Sequence, residues 1–208
     1  MFGIHDFRVF IVTAIFLNLT PGQDTFYILG RSISQGRKAG IASALGISSG
    51  GLVHTVAATL GLSALLTASA RAILAIQLLG AAYLVYLGAR MLFTRATAAS
   101  IRAGFESASF SAIYRQGLLT NVLNPKVALF FLAFLPQFIS EDSPNKLPAL
   151  TTLGLCFVTT GTIWSLSLAW FASLFGNKLR GNTKMADMLN RTAGALFVFL
   201  GVRLAAVK

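Results

Sequence analysis

The sequence predicts an all-α integral membrane protein with six transmembrane helices, arranged as an inverted 3+3 repeat whose first and fourth helices are broken by proline. Three observations predict it. Only 11% of the 208 residues are charged while 55% are hydrophobic, and the mean hydropathy is +0.74; a soluble domain carries about 25% charged residues. The apolar residues gather into six runs, and a helix needs about 20 such residues to cross a bilayer. Features of the first three runs recur in the last three. The composition excludes a soluble enzyme, a disordered tail and a fibrous protein, because so few polar side chains cannot clothe a water-facing surface.

The first run is Phe7–Leu29. Its leader, Met1 to Asp6, has no basic residue and no Ala-x-Ala site follows, so the run is expected to stay as a span. Asn18-Leu19-Thr20 matches a glycosylation sequon, a match discounted at membrane depth. The second and fifth runs, Gly40–Thr67 and Leu147–Phe175, exceed the bilayer thickness and must tilt, kink or emerge. The third is Ile73–Phe93, the fourth Gly117–Ile139, and the sixth and shortest Thr192–Val207. This divides the chain into a first three-helix repeat (1–93), an Ala/Ser-rich cytoplasmic linker (94–116) and a second, inverted repeat (117–208). The lone Cys156 allows no intrachain disulfide, CxxC pair or thiolate zinc site, and reads as a small apolar residue.

The net charge of +11 is distributed in the gaps between runs rather than on one polar face, which argues against a nucleic-acid partner. Eleven basic residues fall on one side: Arg31, Arg37, Lys38, Arg90, Arg95, Arg102, Arg115, Lys178, Arg180, Lys184 and Arg191. Five fall on the other: Arg8, Arg71, Lys146, Arg203 and Lys208. The positive-inside rule then places both termini outside the cytoplasm.

The repeat rests on two pairs of segments. Asn18-Leu19-Thr20-Pro21-Gly22 in the first run and Asn121-Val122-Leu123-Asn124-Pro125-Lys126 in the fourth are both Asn-plus-Pro interruptions of an apolar stretch. Ala82-Tyr83-Leu84-Val85-Tyr86-Leu87-Gly88-Ala89-Arg90 aligns without gaps on Ala195-Leu196-Phe197-Val198-Phe199-Leu200-Gly201-Val202-Arg203, with five of nine positions identical. Three spans per half is an odd number, so the second half enters the membrane from the opposite side, as in many secondary transporters.

Proline removes a backbone donor and clashes with the preceding turn, so Pro21 and Pro125 are expected to break their helices. Freed backbone groups in lipid need partners in protein or in a water-lined cavity, and Asn18, Thr20, Asn121 and Asn124 are able to supply them. Half-helix ends offer N–H groups to a carboxylate and C=O groups to an ammonium, which suits a zwitterionic amino acid. Among Asp, Glu, Lys and Arg, Asp24 and Lys126 alone lie well inside a run, each beside a break. Intramembrane charges face a cavity or a partner; the alternative is Asp24 at the cytoplasmic mouth and a snorkelling Lys126. The binding candidates are therefore Asn18, Thr20, Pro21, Gly22, Asp24, Asn121, Asn124, Pro125 and Lys126. Asp24 and His54 are the candidates for proton coupling, with a backbone hydrogen bond as the competing role for His54.

Gly46, Gly50 and Gly51 would let another helix approach closely. Phe130, Phe134 and Phe138 form a stripe that packs on lipid or on a neighbouring helix, and Thr159, Thr160, Thr162, Trp164 and Ser165 make the fifth run moderately polar. No nucleophile–base set, metal-ligand cluster or phosphate-cradling loop is evident, so no enzyme, cofactor or metal is expected.

The ordered set of motifs resembles the LysE/RhtB-type family of lysine exporters and homoserine/threonine efflux proteins. It comprises Asn18 to Gly22, Gly36-Arg37-Lys38-Ala39-Gly40, His54, Gly80 to Gly88, Asn121 to Lys126, Phe134-Leu135-Pro136-Gln137-Phe138, Gly194 and Leu200-Gly201, nearly the whole chain. The family often has Pro-Gly-Pro where this chain has Pro21-Gly22-Gln23. The resemblance implies a bacterial inner-membrane exporter of amino acids or their derivatives driven by the proton motive force. Its partners are then the substrate, protons and the lipid bilayer, and a homo-oligomer is compatible with it. Three alternatives compete. A metal-ion or other small-solute permease wants several intramembrane carboxylates, and an electron carrier wants two cysteines. A non-transporting scaffold gives the paired proline motifs no consequence.

Overall fold

The computed structural model describes residues 2–62, 70–93, 107–140, 143–144 and 146–179, and near the C terminus 191, 194–195, 198–199, 201–202 and 205. Among these residues the elements are all helical, apart from one isolated antiparallel bridge between Ile4 and Ile139. The predicted end of the second span at Thr67, the linker from 94 to 106 and the segment 180–190 lie outside the described residues.

The first predicted span is two helices, α1 (Phe7–Leu19) and α2 (Gln23–Gln35). Thr20 precedes proline and is extended, with ψ 120°, as the clash with a following pyrrolidine ring requires. Gly22 is also extended and starts α2 through its carbonyl, which accepts from the Phe26 N–H at 3.0 Å. A single residue, Gly36, turns α2 into α3 (Arg37–Ala57). Its φ of +84° with ψ of −175° is backbone that L side chains rarely adopt. The α3 helix relaxes into a π-helical turn at Ala58–Leu62. The third predicted span is α4 (Ala70–Phe93).

The helix of the fourth predicted span begins at Phe110 rather than Gly117, because Ser109 caps α5 (Phe110–Val122) by accepting from the Ala112 N–H at 3.3 Å. It breaks at Leu123-Asn124 and resumes as α6 (Pro125–Leu129). Asn124 accepts from the Lys126 N–H at 3.0 Å and Pro125 occupies the first turn, where its missing N–H costs nothing. The helix continues as a π turn (Phe130–Phe134) and a 3-10 turn (Leu135–Phe138). The whole segment is bent by 46° at the break. The fifth predicted span is α7 (Lys146–Leu179).

Two helices among the described residues, Arg37–Gly61 and Lys146–Ala172, are long and apolar enough to cross a membrane, and the bent α5–α6 pair makes a third if taken as one span. Their outer faces carry large apolar side chains in the open, among them Val56, Ile163 and Phe171, and so do α1 at Val12 and α4 at Leu79. A water-soluble monomer rarely exposes contiguous apolar surface on that scale. The chain is a membrane protein.

Helix α3 packs along α5 through its glycines. A Cβ at Gly50 would lie 2.7 Å from Asn121 Cβ, and one at Gly117 would lie 2.8 Å from the Ser43 carbonyl. The Phe130/Phe134/Phe138 stripe points inward, not to lipid: all three are buried. Phe10 meets Phe138 edge-on at 5.3 Å, and Phe157 lies 4.8 Å from Phe130. The N-terminal segment straps this end, with the His5 N–H on the Phe138 carbonyl at 3.0 Å and the Ser140 N–H on the Gly3 carbonyl at 2.9 Å. At the opposite end Gln35 reaches the Ala108 carbonyl at 3.2 Å, and Arg37 lies over the Trp170 ring at 3.8 Å.

The described residues of the sixth predicted span lie against α4, and the contact is reciprocal. A Cβ at Gly88 would meet the Gly194 carbonyl at 2.5 Å and the Val198 nitrogen at 2.8 Å; one at Gly201 would meet the Ala81 carbonyl at 2.8 Å and the Val85 nitrogen at 3.0 Å. In the sequence alignment of the two halves Gly88 corresponds to Gly201, Val85 to Val198 and Ala81 to Gly194. Each glycine therefore sits on the counterpart of its own neighbours, a reciprocal contact.

Candidate functional site

The two breaks meet. Lys126, one residue past Pro125, extends its ammonium to the Leu17 and Thr20 carbonyls at 3.3 and 3.2 Å. Leu17 lies in the last turn of α1 and Thr20 caps it; the Leu17 carbonyl also accepts from the Thr20 N–H at 3.3 Å, so the ammonium adds a second donor at this helix end. Thr20 is buried and its hydroxyl bonds back to the Phe16 carbonyl at 2.7 Å. A Cβ at Gly22 would lie 3.3 Å from the Lys126 Nζ, so glycine there leaves the ammonium unobstructed.

The α5 break is finished in a parallel way. The Asn121 carbonyl accepts from the Asn124 N–H at 2.9 Å and lies 3.0 Å from His54 Nε2. A carbonyl only accepts, so His54 presents an Nε2–H to it. The His54 ring also stacks on Phe131 with centroids 5.7 Å apart. A basic side chain from another helix thus finishes each interrupted helix: Lys126 for α1 and His54 for α5.

Between the breaks lies a cavity of about 40 Å³, lined by α1, α2, α5, α6 and α7. Asn18, Asp24, Asn121 and Lys126 are on its wall. The Asp24 Oδ2 accepts from Asn121 Nδ2 at 2.8 Å. Its Oδ1 is buried without a hydrogen-bond partner among the described residues, as are Asn121 Oδ1, Asn124 Nδ2 and Trp164 Nε1. Buried polar atoms of this kind are rare enough to call for a reason. Among the described residues no ion-pair contact within 4.0 Å joins Asp24 to Lys126, although both line the cavity. Asn18 is turned aside, donating to Thr160 Oγ1 at 3.1 Å. Pro21, Asn124 and Pro125 shape the breaks, and His54 is not on the cavity wall.

The sequence pattern did not assign the rest of the wall to the site. Trp164 and Ser165 of α7 bring a ring N–H and a hydroxyl, while Leu17, Ile28, Val127, Phe157 and Leu168 make an apolar side. The signal for Trp164 was its place in a polar stretch of the fifth span; which way that stretch faces depends on packing. Chemically, the site offers acceptors at Asp24 and Asn121, donors at Lys126 and Trp164, and an apolar flank between them.

Comparison with known proteins adds an independent finding. Residues 15–207 match the profile of the LysE family, described as LysE type translocator. A leucine efflux protein of Salmonella typhimurium is 30% identical over 211 residues, covering 100% of this chain and 98% of that protein. An uncharacterized membrane protein of Vibrio cholerae is 31% identical over 205 residues, covering 99% and 98%. The uncharacterized membrane protein YrhP of Bacillus subtilis is 29% identical over 208 residues, covering 96% and 98%. No solved structure matches.

Proposed function

The chain belongs to the LysE type translocator family, and from that premise we propose that it exports amino acids with uncharged, aliphatic side chains from the cytoplasm. It is a transporter and not an enzyme. The observation that carries the substrate reading is the cavity's polar inventory. Asp24 Oδ1 and Asn121 Oδ1 are acceptors for an α-ammonium. The Trp164 Nε1–H and the third proton of Lys126 are donors for an α-carboxylate. One positive and one negative group balance a zwitterion. A substrate with a charged side chain would leave an uncompensated charge in a low-dielectric site. The flank of Ile28, Leu168 and Val127 fits a branched aliphatic group, in line with the leucine efflux protein among the relatives.

A cavity of about 40 Å³ has room for a few waters but not for an amino acid, so the helices around it must part during the cycle. The proposed architecture is six spans in two inverted halves, supported by the reciprocal Gly88 and Gly201 contacts and by the meeting of the two breaks. The site then lies near the middle of a bacterial inner membrane with both termini outside. Coupling to the proton motive force belongs to the same reading, with Asp24 on the cavity and His54 behind it through Asn121 as the candidate proton carriers.

Proteoliposomes loaded with a panel of labelled amino acids, assayed with and without a pH gradient, test this. Leucine and other aliphatic amino acids should leave in a gradient-dependent manner, and lysine and glutamate should not. Absence of gradient-dependent movement for every amino acid tested would refute the reading, as would equal movement of all of them.

A further inference from the structure

The interrupted end of α1 holds a cation that belongs to the chain itself. Helix C-terminal carbonyls carry partial negative charge. In transporters with broken helices, such carbonyls coordinate a free coupling cation. Here the Leu17 and Thr20 carbonyls are already engaged by the Lys126 ammonium at 3.3 and 3.2 Å. Three features bring it there. Asn124 and Pro125 start α6 so that Lys126 falls in its first turn. Gly22 offers no Cβ to obstruct the approach. Asp24 places its carboxyl group on the same cavity.

We propose that the Leu17 and Thr20 carbonyls, with Asp24 nearby, form a monovalent-cation site that the Lys126 ammonium fills as a tethered ion. Transport then needs no sodium or other free metal cation. A chain lacking this side chain gains a site for a small primary ammonium ion. The choice of ion follows from the chemistry: a primary ammonium presents several N–H donors, whereas a quaternary ammonium presents none. Lys126 is thus a positioning residue for α1 as well as a donor to the cavity. The transport part of this inference rests on the exporter reading, and the stability part does not.

The test uses the full chain in detergent and in proteoliposomes, with Lys126→Ala and Lys126→Met. Methylammonium and ethylammonium should raise the melting temperature of Lys126→Ala saturably, while tetramethylammonium should not. Lys126→Met, whose stem fills the space, should gain nothing. The unsubstituted protein should ignore all three ions. In vesicles, methylammonium should increase leucine export by Lys126→Ala about tenfold or more, the equivalent of one hydrogen bond to a charged group. A folded Lys126→Ala that no primary amine stabilises overturns the proposal. Should Lys126→Ala not fold, the unsubstituted protein decides: export unchanged when choline replaces sodium supports the tethered ion, and export lost without sodium overturns it. Failure of the unsubstituted protein to move any amino acid would sink the exporter reading instead, leaving the melting data to judge the ammonium site.

Discussion

Asp24 divides its two oxygens between structure and cavity. Oδ2 is held by Asn121 Nδ2 at 2.8 Å, whereas Oδ1 is left for whatever enters. The pairing depends on Gly50, since any Cβ there would press on the Asn121 side chain. The bond joins the first turn of α2 to the last turn of α5, so it is a second link between the two breaks beside the Lys126 contact with α1. A hydrogen bond to a charged group in such a site contributes about 1.5–3 kcal/mol. Asp24→Asn and Asn121→Ala should therefore be coupled by an energy in that range in a double-mutant cycle on thermal stability. Asn121→Ala should be the more damaging single change, because it strands a buried carboxylate. Additive effects would mean that the bond does not bind α2 to α5. Asp24 and Lys126 share a cavity, and each is tied to a partner from the opposite half of the chain.

At the level of helices, stability rests on close approach rather than on hydrophobic drive, because lipid tails are as apolar as leucine. Gly88 and Gly201 show how little room is left, each with backbone of the opposing helix where its Cβ would be. Gly88→Val and Gly201→Val should each destabilise by about 1–3 kcal/mol, as overpacking does. Both force apart one helix pair, so the double change should be less than additive in thermal melts. Full additivity would show that the two glycines serve separate contacts. The breaks at Pro21 and Asn124-Pro125 were legible in the sequence because proline and capping chemistry act within a few residues. The Lys126 contact with α1 was not, because it spans 106 residues of chain and no local pattern encodes where a lysine stem will end. Trp164 escaped for a related reason: one polar stretch in a long apolar helix does not reveal which neighbours it faces. The inward Phe130, Phe134 and Phe138 stripe left lipid and neighbour equally open, and Phe10 and Phe157 settle it for the neighbour.

Across the whole molecule, sidedness decides whether the halves are inverted. Several of the described basic residues stand near helix ends. Arg37 and Lys38 open α3, Arg90 lies in the last turn of α4 and Arg115 is in the second turn of α5. Gln35 and Ala108 join two of these segments directly. Arg8 and Lys146 mark the other end, where the N-terminal segment is strapped to Ser140 and Ser143. An anionic cytoplasmic leaflet and the positive-inside rule favour the end at Gln35 and Ala108 as cytoplasmic. The α5–α6 segment matters most for this argument, because a bend of 46° is compatible with either a crossing or a re-entrant loop. If it crosses, Ser107 before it and Pro144 after it face opposite sides, and three crossings per half make the repeat inverted. Both residues are exposed. In a Cys156→Ser background, Pro144→Cys should react with an impermeant maleimide added to intact cells, and Ser107→Cys only after permeabilisation. The reverse pattern would keep the crossing but turn the molecule over. Reaction of both from one side would make α5–α6 re-entrant, leave the second half with an even number of crossings, and remove the inverted repeat.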